Sequence, residues 1–216
     1  MIMVQQIEKD LLIDFSMPDY WERFICHTRN YQNYISLESY SVLKELIARY
    51  PDTTSFYDYS LKRAIQIPDD IILLFFRYIY RMTRPQCVNR LPIHCRNGNW
   101  MKDIDYCFLN IRCLGKGPNE VGNILNAMKA LLTIRATGIH LAPFYECCHG
   151  IVYCQKSFYR INSDILVADE NCVKVADQLK IMIECAHMLG KIVGFDFTPH
   201  TCHLSKLSFD RPELFR

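Results

Sequence analysis

Apolar residues recur along this chain with two periods, one helical and one extended. Between Ser36 and Tyr50, Leu37, Tyr40, Val42, Leu43, Leu46 and Ile47 fall at helical spacing. Ser36 opens the run with Glu38 and Ser39 close behind it, and Pro51 ends it. A second helix is expected from Asp69 or Asp70, with Ile72, Leu73, Phe76, Tyr80 and Met82 on its apolar face. Arg77, Arg81 and Arg84 lie near its end, where cations suit the negative terminus, and a solvated face is expected for them rather than an anion site. Residues 1–34 suggest one or two short helices, with Asp19 a candidate cap and Tyr20, Trp21, Phe24 and Ile25 an apolar face. Such spacing points to helix packing rather than to a cofactor box.

The pattern changes near Pro85. Leu91 to Trp100 carries Arg96-Asn-Gly-Asn99, a turn signal between two short extended runs, and predicts a hairpin. Tyr106 to Leu114 reads as a buried strand. After the loop Gly115-Lys-Gly-Pro118, residues Asn119 to Arg135 read as a helix with Val121, Ile124, Leu125, Met128, Leu131 and Leu132 on one side. Ile139 to Ala142 is a second strand, stopped by Pro143. A long loop, Phe144 to Ile165, is rich in Tyr, Phe, Cys and His, and ordered loops of that length usually carry function. Asn171 to Leu189 is a helix ended by Gly190, and Lys191 to Phe197 is a third strand. Strand–helix–strand–helix–strand predicts an α/β fold with parallel pairing. The rhythm fits an open doubly wound sheet and the start of a β/α barrel equally well.

Composition narrows the class. The chain has 216 residues, half of them hydrophobic and 22% charged, enough to bury a core and unlike a disordered protein. A formal net charge of +2 without a dense basic run argues against nucleic acid and anionic membranes as partners. The longest apolar run, Ile71 to Phe76, is too short to span a bilayer. The eleven cysteines are odd in number and scattered through apparent core runs, as at Cys107, Cys113, Cys172 and Cys185. The first ten residues turn acidic too early for a secretory leader. Reduced thiols in a cytoplasmic protein are therefore expected.

Several constellations fall short of a chemistry. Gly115-Lys-Gly lacks the first glycine and the Ser/Thr of a phosphate loop. Cys147, Cys148, His149 and Cys154 lack paired zinc spacing, as do His200, Cys202 and His203. Cys148 beside His149 is no nucleophile–base pair, because sequence neighbours point apart. No metal or cofactor is expected. Asp196, at a strand end, is the best single polar candidate for a site, and a loop cap is its equal alternative. Glu146 and Asp164 are candidate hydroxyl binders, and Phe144, Tyr145, Phe158 and Tyr159 can stack on sugar faces or close a barrel mouth.

From Tyr106 to Ser205 the chain resembles the opening of the catalytic barrel of the α-amylase family of glycoside hydrolases. Leu141-Ala-Pro-Phe144 is similar to the family's second-strand ending, and Phe158-Tyr159-Arg-Ile-Asn-Ser-Asp164 to its following loop. Asp196-Phe-Thr-Pro-His200-Thr201 resembles the third-strand motif Asp-Phe-x-Pro-Asn-His-Thr with the asparagine deleted. The resemblance implies an incomplete TIM-type barrel of about three parallel strands over residues 85–216, preceded by a helical region over 1–84. It implies that Asp196, His200, Tyr159, Asp164 and Phe144 face an oligosaccharide or α-glucoside, with hydrolysis or transfer at α-glucosidic bonds as the parent reaction. The family's three essential carboxylates follow its fourth, fifth and seventh strands, and retaining hydrolysis needs two carboxyl groups about 5–5.5 Å apart. Those positions have no counterpart here, so no catalytic residue is assigned. A fragment or shortened relative, inactive alone, is expected. The alternatives are a non-catalytic carbohydrate-binding or assembly module, in which a second polypeptide supplies missing strands to an open sheet edge, and an unrelated open-sheet α/β enzyme.

Overall fold

The computed structural model describes residues 1–11, 17–28, 33–63, 66–83, 99–117, 120–148, 150–198 and 201–214. The expected hairpin lies almost wholly outside these residues, as do Arg84, His149 and His200. The described residues form an α/β protein. Strand β1 (Ile2–Met3) runs into helix α1 (Val4–Asp10), followed by α2 (Asp19–His27), β2 (Tyr34–Ile35), α3 (Leu37–Arg49), α4 (Thr53–Arg63) and α5 (Ile72–Thr83). Next come β3 (Tyr106–Leu109), α6 (Ile124–Leu131), β4 (Gly138–Leu141), α7 (Val175–Met188), β5 (Ile192–Phe195) and α8 (Lys206–Asp210). β1 and β2 make a small antiparallel pair. β3, β4 and β5 form a parallel sheet in that order, with Phe108 beside His140 and His140 beside Gly194.

Local chemistry sets the element ends. Ser36 caps α3 by accepting the Ser39 N–H. α2 begins after Pro18, so Asp19 is its first helical residue rather than its side-chain cap. β3 is shorter than the apolar run suggests, because the Asn110 side chain accepts the Arg112 N–H and turns the chain into a short 3-10 helix over Ile111–Leu114. α6 starts late for a similar reason: Asn123 and Asn126 cap each other's backbone N–H groups. The helix before β5 ends at Gly190, whose φ of +73° suits a residue without a Cβ.

α6 and α7 pack against one face of the sheet, where Leu109, Ile139, Leu141 and Val193 meet Ala127, Leu131, Met182 and Ala186. α2 and α5 pack on α7, and α5 also on α6, so one hydrophobic cluster joins the N-terminal helices to the parallel sheet and its two helices. Two buried polar clasps join these layers. Glu184 of α7 is 2% exposed and accepts Tyr20 Oη–H and Trp21 Nε1–H, each at 2.6 Å. Lys191 is 1% exposed, and its ammonium donates to the Ile134 and Ala136 carbonyls over the ring of Tyr57. Burial presses the Lys191 pKa down to about 8.

Three expectations need correction. Arg77 is not on a solvated face: it is buried and paired with Glu8 at 3.1 Å and Glu22 at 3.6 Å. Met82 is exposed rather than on the buried face of α5, which takes in Leu74, Phe75 and Ile79 in addition to the expected residues. Cys113 and Cys172 are surface residues, since the 3-10 turn and the late start of α7 move them out of regular elements.

Candidate functional site

Two of the residues singled out in the sequence, Asp196 and Phe144, lie at the carboxyl end of the parallel sheet. The ladder runs on past β5: Asp196 N–H donates to the Leu141 carbonyl at 2.8 Å. That bond sets Asp196 level with the end of β4, where the chain turns through Pro143 into Phe144. Phe144 meets Phe195 edge to face at 5.8 Å and stacks on Tyr145 at 5.0 Å. Asp196 and Phe144 therefore occupy the same end of the sheet, and their strands run parallel.

Among the described residues, the sheet face away from the helices carries half-exposed side chains. Alternation points Ile139 and Leu141 into the core and His140 outward. Phe108 is exposed beside His140, with ring centres 5.7 Å apart, and a Cβ on Gly194 would meet nothing within 4 Å. His140 Nε2 stands 4.0 Å from Asp196 Oδ2. At Gly138 the neighbouring Tyr106 ring comes so near that a Cβ would fall 2.7 Å from it. His140 was missed in the sequence because it sits inside an apolar run; its polar side chain between Ile139 and Leu141 was the available signal.

The long loop folds back over this end. Tyr145 pairs antiparallel with Ile161, and Cys147 with Gln155. Phe158 lies against Phe197, ring centres 5.5 Å apart, one residue past Asp196. A disulfide joins Cys148 in the loop to Cys202 after β5, with Cα atoms 6.4 Å apart. This replaces the expectation of reduced thiols for that pair. The loop's antiparallel pairing presents Cys148 toward the chain beyond β5, a long-range approach that cysteine spacing does not encode.

The remaining predicted residues lie in the loop. Tyr159 is exposed and Asp164 half-exposed, and both line a polar cleft of about 650 Å³ with Arg112 and Asn162. Arg112 reaches Asp164 at 3.5 Å and donates to Cys147 Sγ at 3.5 Å. Glu146 pairs with Lys156 at 3.2 Å. Asp196 and Phe144 thus form one cluster at the strand ends, and Tyr159 and Asp164 a second across the loop; His200 lies outside the described residues. Lys116 of the rejected phosphate-loop match pairs with Asp69, as does Lys129 at 3.1 Å. Burial opposes the Asp69 charge, but the hydrogen bonds and charges of these lysines outweigh it and lower its pKa.

Chemically, the strand ends offer a carboxylate, an imidazole and several ring faces. These can accept or donate hydrogen bonds to hydroxyl groups and stack on an apolar ring face. Among the described residues no three His, Cys, Asp or Glu side chains stand close enough to hold a metal ion. Among those residues, too, no helix is long and apolar enough to cross a membrane. Fold and site define an α/β protein whose three-stranded parallel sheet carries a polar and aromatic carboxyl end. No protein-family model matches the chain, and a search of curated proteins finds no match either.

Proposed function

We propose that this chain is a glycosidase-related protein: its parallel strands are the opening strands of an α-amylase-like β/α barrel, and their carboxyl ends recognise a saccharide. The observation that carries the reading is the pairing of Asp196 with the end of β4 beside Phe144. Ligands of β/α proteins bind at that end of the strands, and the two motifs that resemble the family meet there. Asp196 then accepts sugar hydroxyls, with His140 beside it, and Phe144, Tyr159 and Asp164 contribute to the rim. The parent reaction is hydrolysis or transfer at an α-glucosidic bond. No catalytic carboxylate pair is assigned among the described residues, so binding without turnover is the expected behaviour. Calorimetric titration with maltotriose tests this. Saturable binding abolished by Asp196→Ala supports the reading, and absence of binding at millimolar sugar rejects it. Turnover of a chromogenic α-glucoside by the purified chain would overturn the non-catalytic part.

A second reading, assembly with another polypeptide, draws on Tyr106 and Phe108, each 54% exposed on the open sheet face. Rings exposed together on a sheet mark interaction surfaces. Sedimentation velocity of the chain with and without Phe108→Ser separates this reading from the first.

A further inference from the structure

A groove of about 840 Å³ separates the long loop from α8. That volume is in the range of small-ligand sites. The segments that form its walls are tied together: the Cys148–Cys202 disulfide joins the loop to the chain leading into α8, and the Gln155 carbonyl accepts both Cys202 N–H at 2.8 Å and Thr201 Oγ1–H at 2.9 Å. A groove fixed in this way loses little conformational freedom on binding.

Two features give the groove a chemical preference. Tyr159 on the loop wall and Phe209 on α8 are 92% and 71% exposed, the most exposed aromatic residues among those described. Cations also outnumber acids along the walls. Glu146 is taken by Lys156 at 3.2 Å, Asp210 by Lys206 at 3.9 Å, and Arg211 turns to Glu213. Arg160 makes no side-chain hydrogen bond or ion pair among the described residues. Its backbone is nevertheless fixed, the N–H donating to Ser157 Oγ at 3.1 Å and the carbonyl accepting Glu146 N–H at 2.8 Å. A guanidinium with no such partner among the described residues, on an anchored backbone and lining the same groove as two exposed rings, matches an anion attached to a flat or ring-shaped body.

We propose that this groove binds a sugar bearing an anionic group, a phosphate or a carboxylate, with Arg160 on the anion and Phe209 against the ring. The sugar half rests on the saccharide reading above; the anionic half rests on the groove's own charge.

Titration calorimetry on the full chain tests it, with glucose 6-phosphate, glucuronate, maltotriose, inorganic phosphate and adenosine monophosphate as separate probes. Binding of glucose 6-phosphate or glucuronate is expected, and whichever is tighter identifies the anion. Arg160→Ala and Phe209→Ala should each weaken that binding about tenfold, the scale of one charge-assisted hydrogen bond or one stacked ring. Both side chains are exposed, so the variants should keep the wild-type thermal midpoint and the wild-type response to maltotriose. Inorganic phosphate binding as tightly as glucose 6-phosphate overturns the proposal, as does adenosine monophosphate binding more tightly than either anionic sugar. If maltotriose binds and neither anionic sugar does, the groove proposal fails while saccharide recognition at the sheet stands. If none of the three sugars binds, both fail.

Discussion

Gln178 and Ala168 exchange two hydrogen bonds: Gln178 Oε1 accepts the Ala168 N–H at 3.2 Å, and Nε2 donates to the Ala168 carbonyl at 2.8 Å. The same amide accepts Val167 N–H at 3.1 Å and donates to the Val173 carbonyl at 3.1 Å. One fully buried side chain on α7 thus mimics a strand and closes the end of the long loop. Gln178→Met keeps the volume but strands several buried backbone groups. The expected loss is about 2–4 kcal/mol, at about 1–3 kcal/mol for each unpaired group with partial relaxation. Urea unfolding measures it, and a loss under about 1 kcal/mol would show that the clasp is dispensable.

Lys191 predicts an unusual alkaline response. Burial brings its folded pKa down to about 8, whereas the unfolded chain keeps the ordinary lysine value. Between those values the unfolded state binds more protons than the folded state, so stability rises with pH. The wild type should gain on Lys191→Met from pH 8 to pH 9.5. Tyr50 and Tyr57 have raised pKa values through burial, which opposes this trend as pH nears the ordinary tyrosine range. Denaturant midpoints for both proteins across that window decide the point, and parallel profiles would remove Lys191 as the cause.

Asp69 makes the acid limb testable. Its folded pKa is lowered by Lys116 and Lys129 in spite of burial. It therefore contributes stability above the ordinary carboxylate range, and this is lost as pH falls through the lowered value. Asp69→Asn should destabilise the protein at pH 7 and make its acid unfolding less steep. Thermal midpoints between pH 2 and pH 7, compared with wild type, test this expectation.

The Cys148–Cys202 disulfide closes a loop with a sequence separation of 54. Cross-links of that span typically stabilise by about 2–4 kcal/mol. Non-reducing peptide mapping should recover the two cysteines in one fragment. Replacing both with serine should lower stability by roughly that amount and should raise hydrogen exchange first at residues 150–161. Recovery of both as free thiols from protein prepared without reductant would contradict the pairing.

The framework of the sheet was legible because its signals are local. β4 and β5 are short apolar runs with Gly or Pro beside them; Pro51 and Gly190 mark helix ends through their backbone chemistry, and Ser36 through its hydroxyl. α4 was missed: Phe56 and Tyr57 are its main buried aromatics, and Thr53 to Arg63 carries too few aliphatics to show a clear period. Asn110 and Asn123 cut β3 and α6 short through side-chain bonds that apolar spacing does not reveal. The site was legible only in part. Asp196 and Phe144 lie at the same end of the sheet because parallel register aligns strand ends, which the pattern implied. The approach of Phe158 to Phe197, and of Cys148 to Cys202, depends on the path of a loop with no periodicity to read.

Among the described residues, the helices support the sheet on one face. Along β4 the residues facing the helices are locked among neighbours, while His140 between them is half-exposed beside Phe108 and Asp196. An evolutionary walk through this strand would then proceed at two speeds. Ile139 and Leu141 would accept little beyond close isosteres, whereas His140 and Gly194 would be free to drift or be recruited. New binding chemistry can be written on that face without disturbing the framework that holds it.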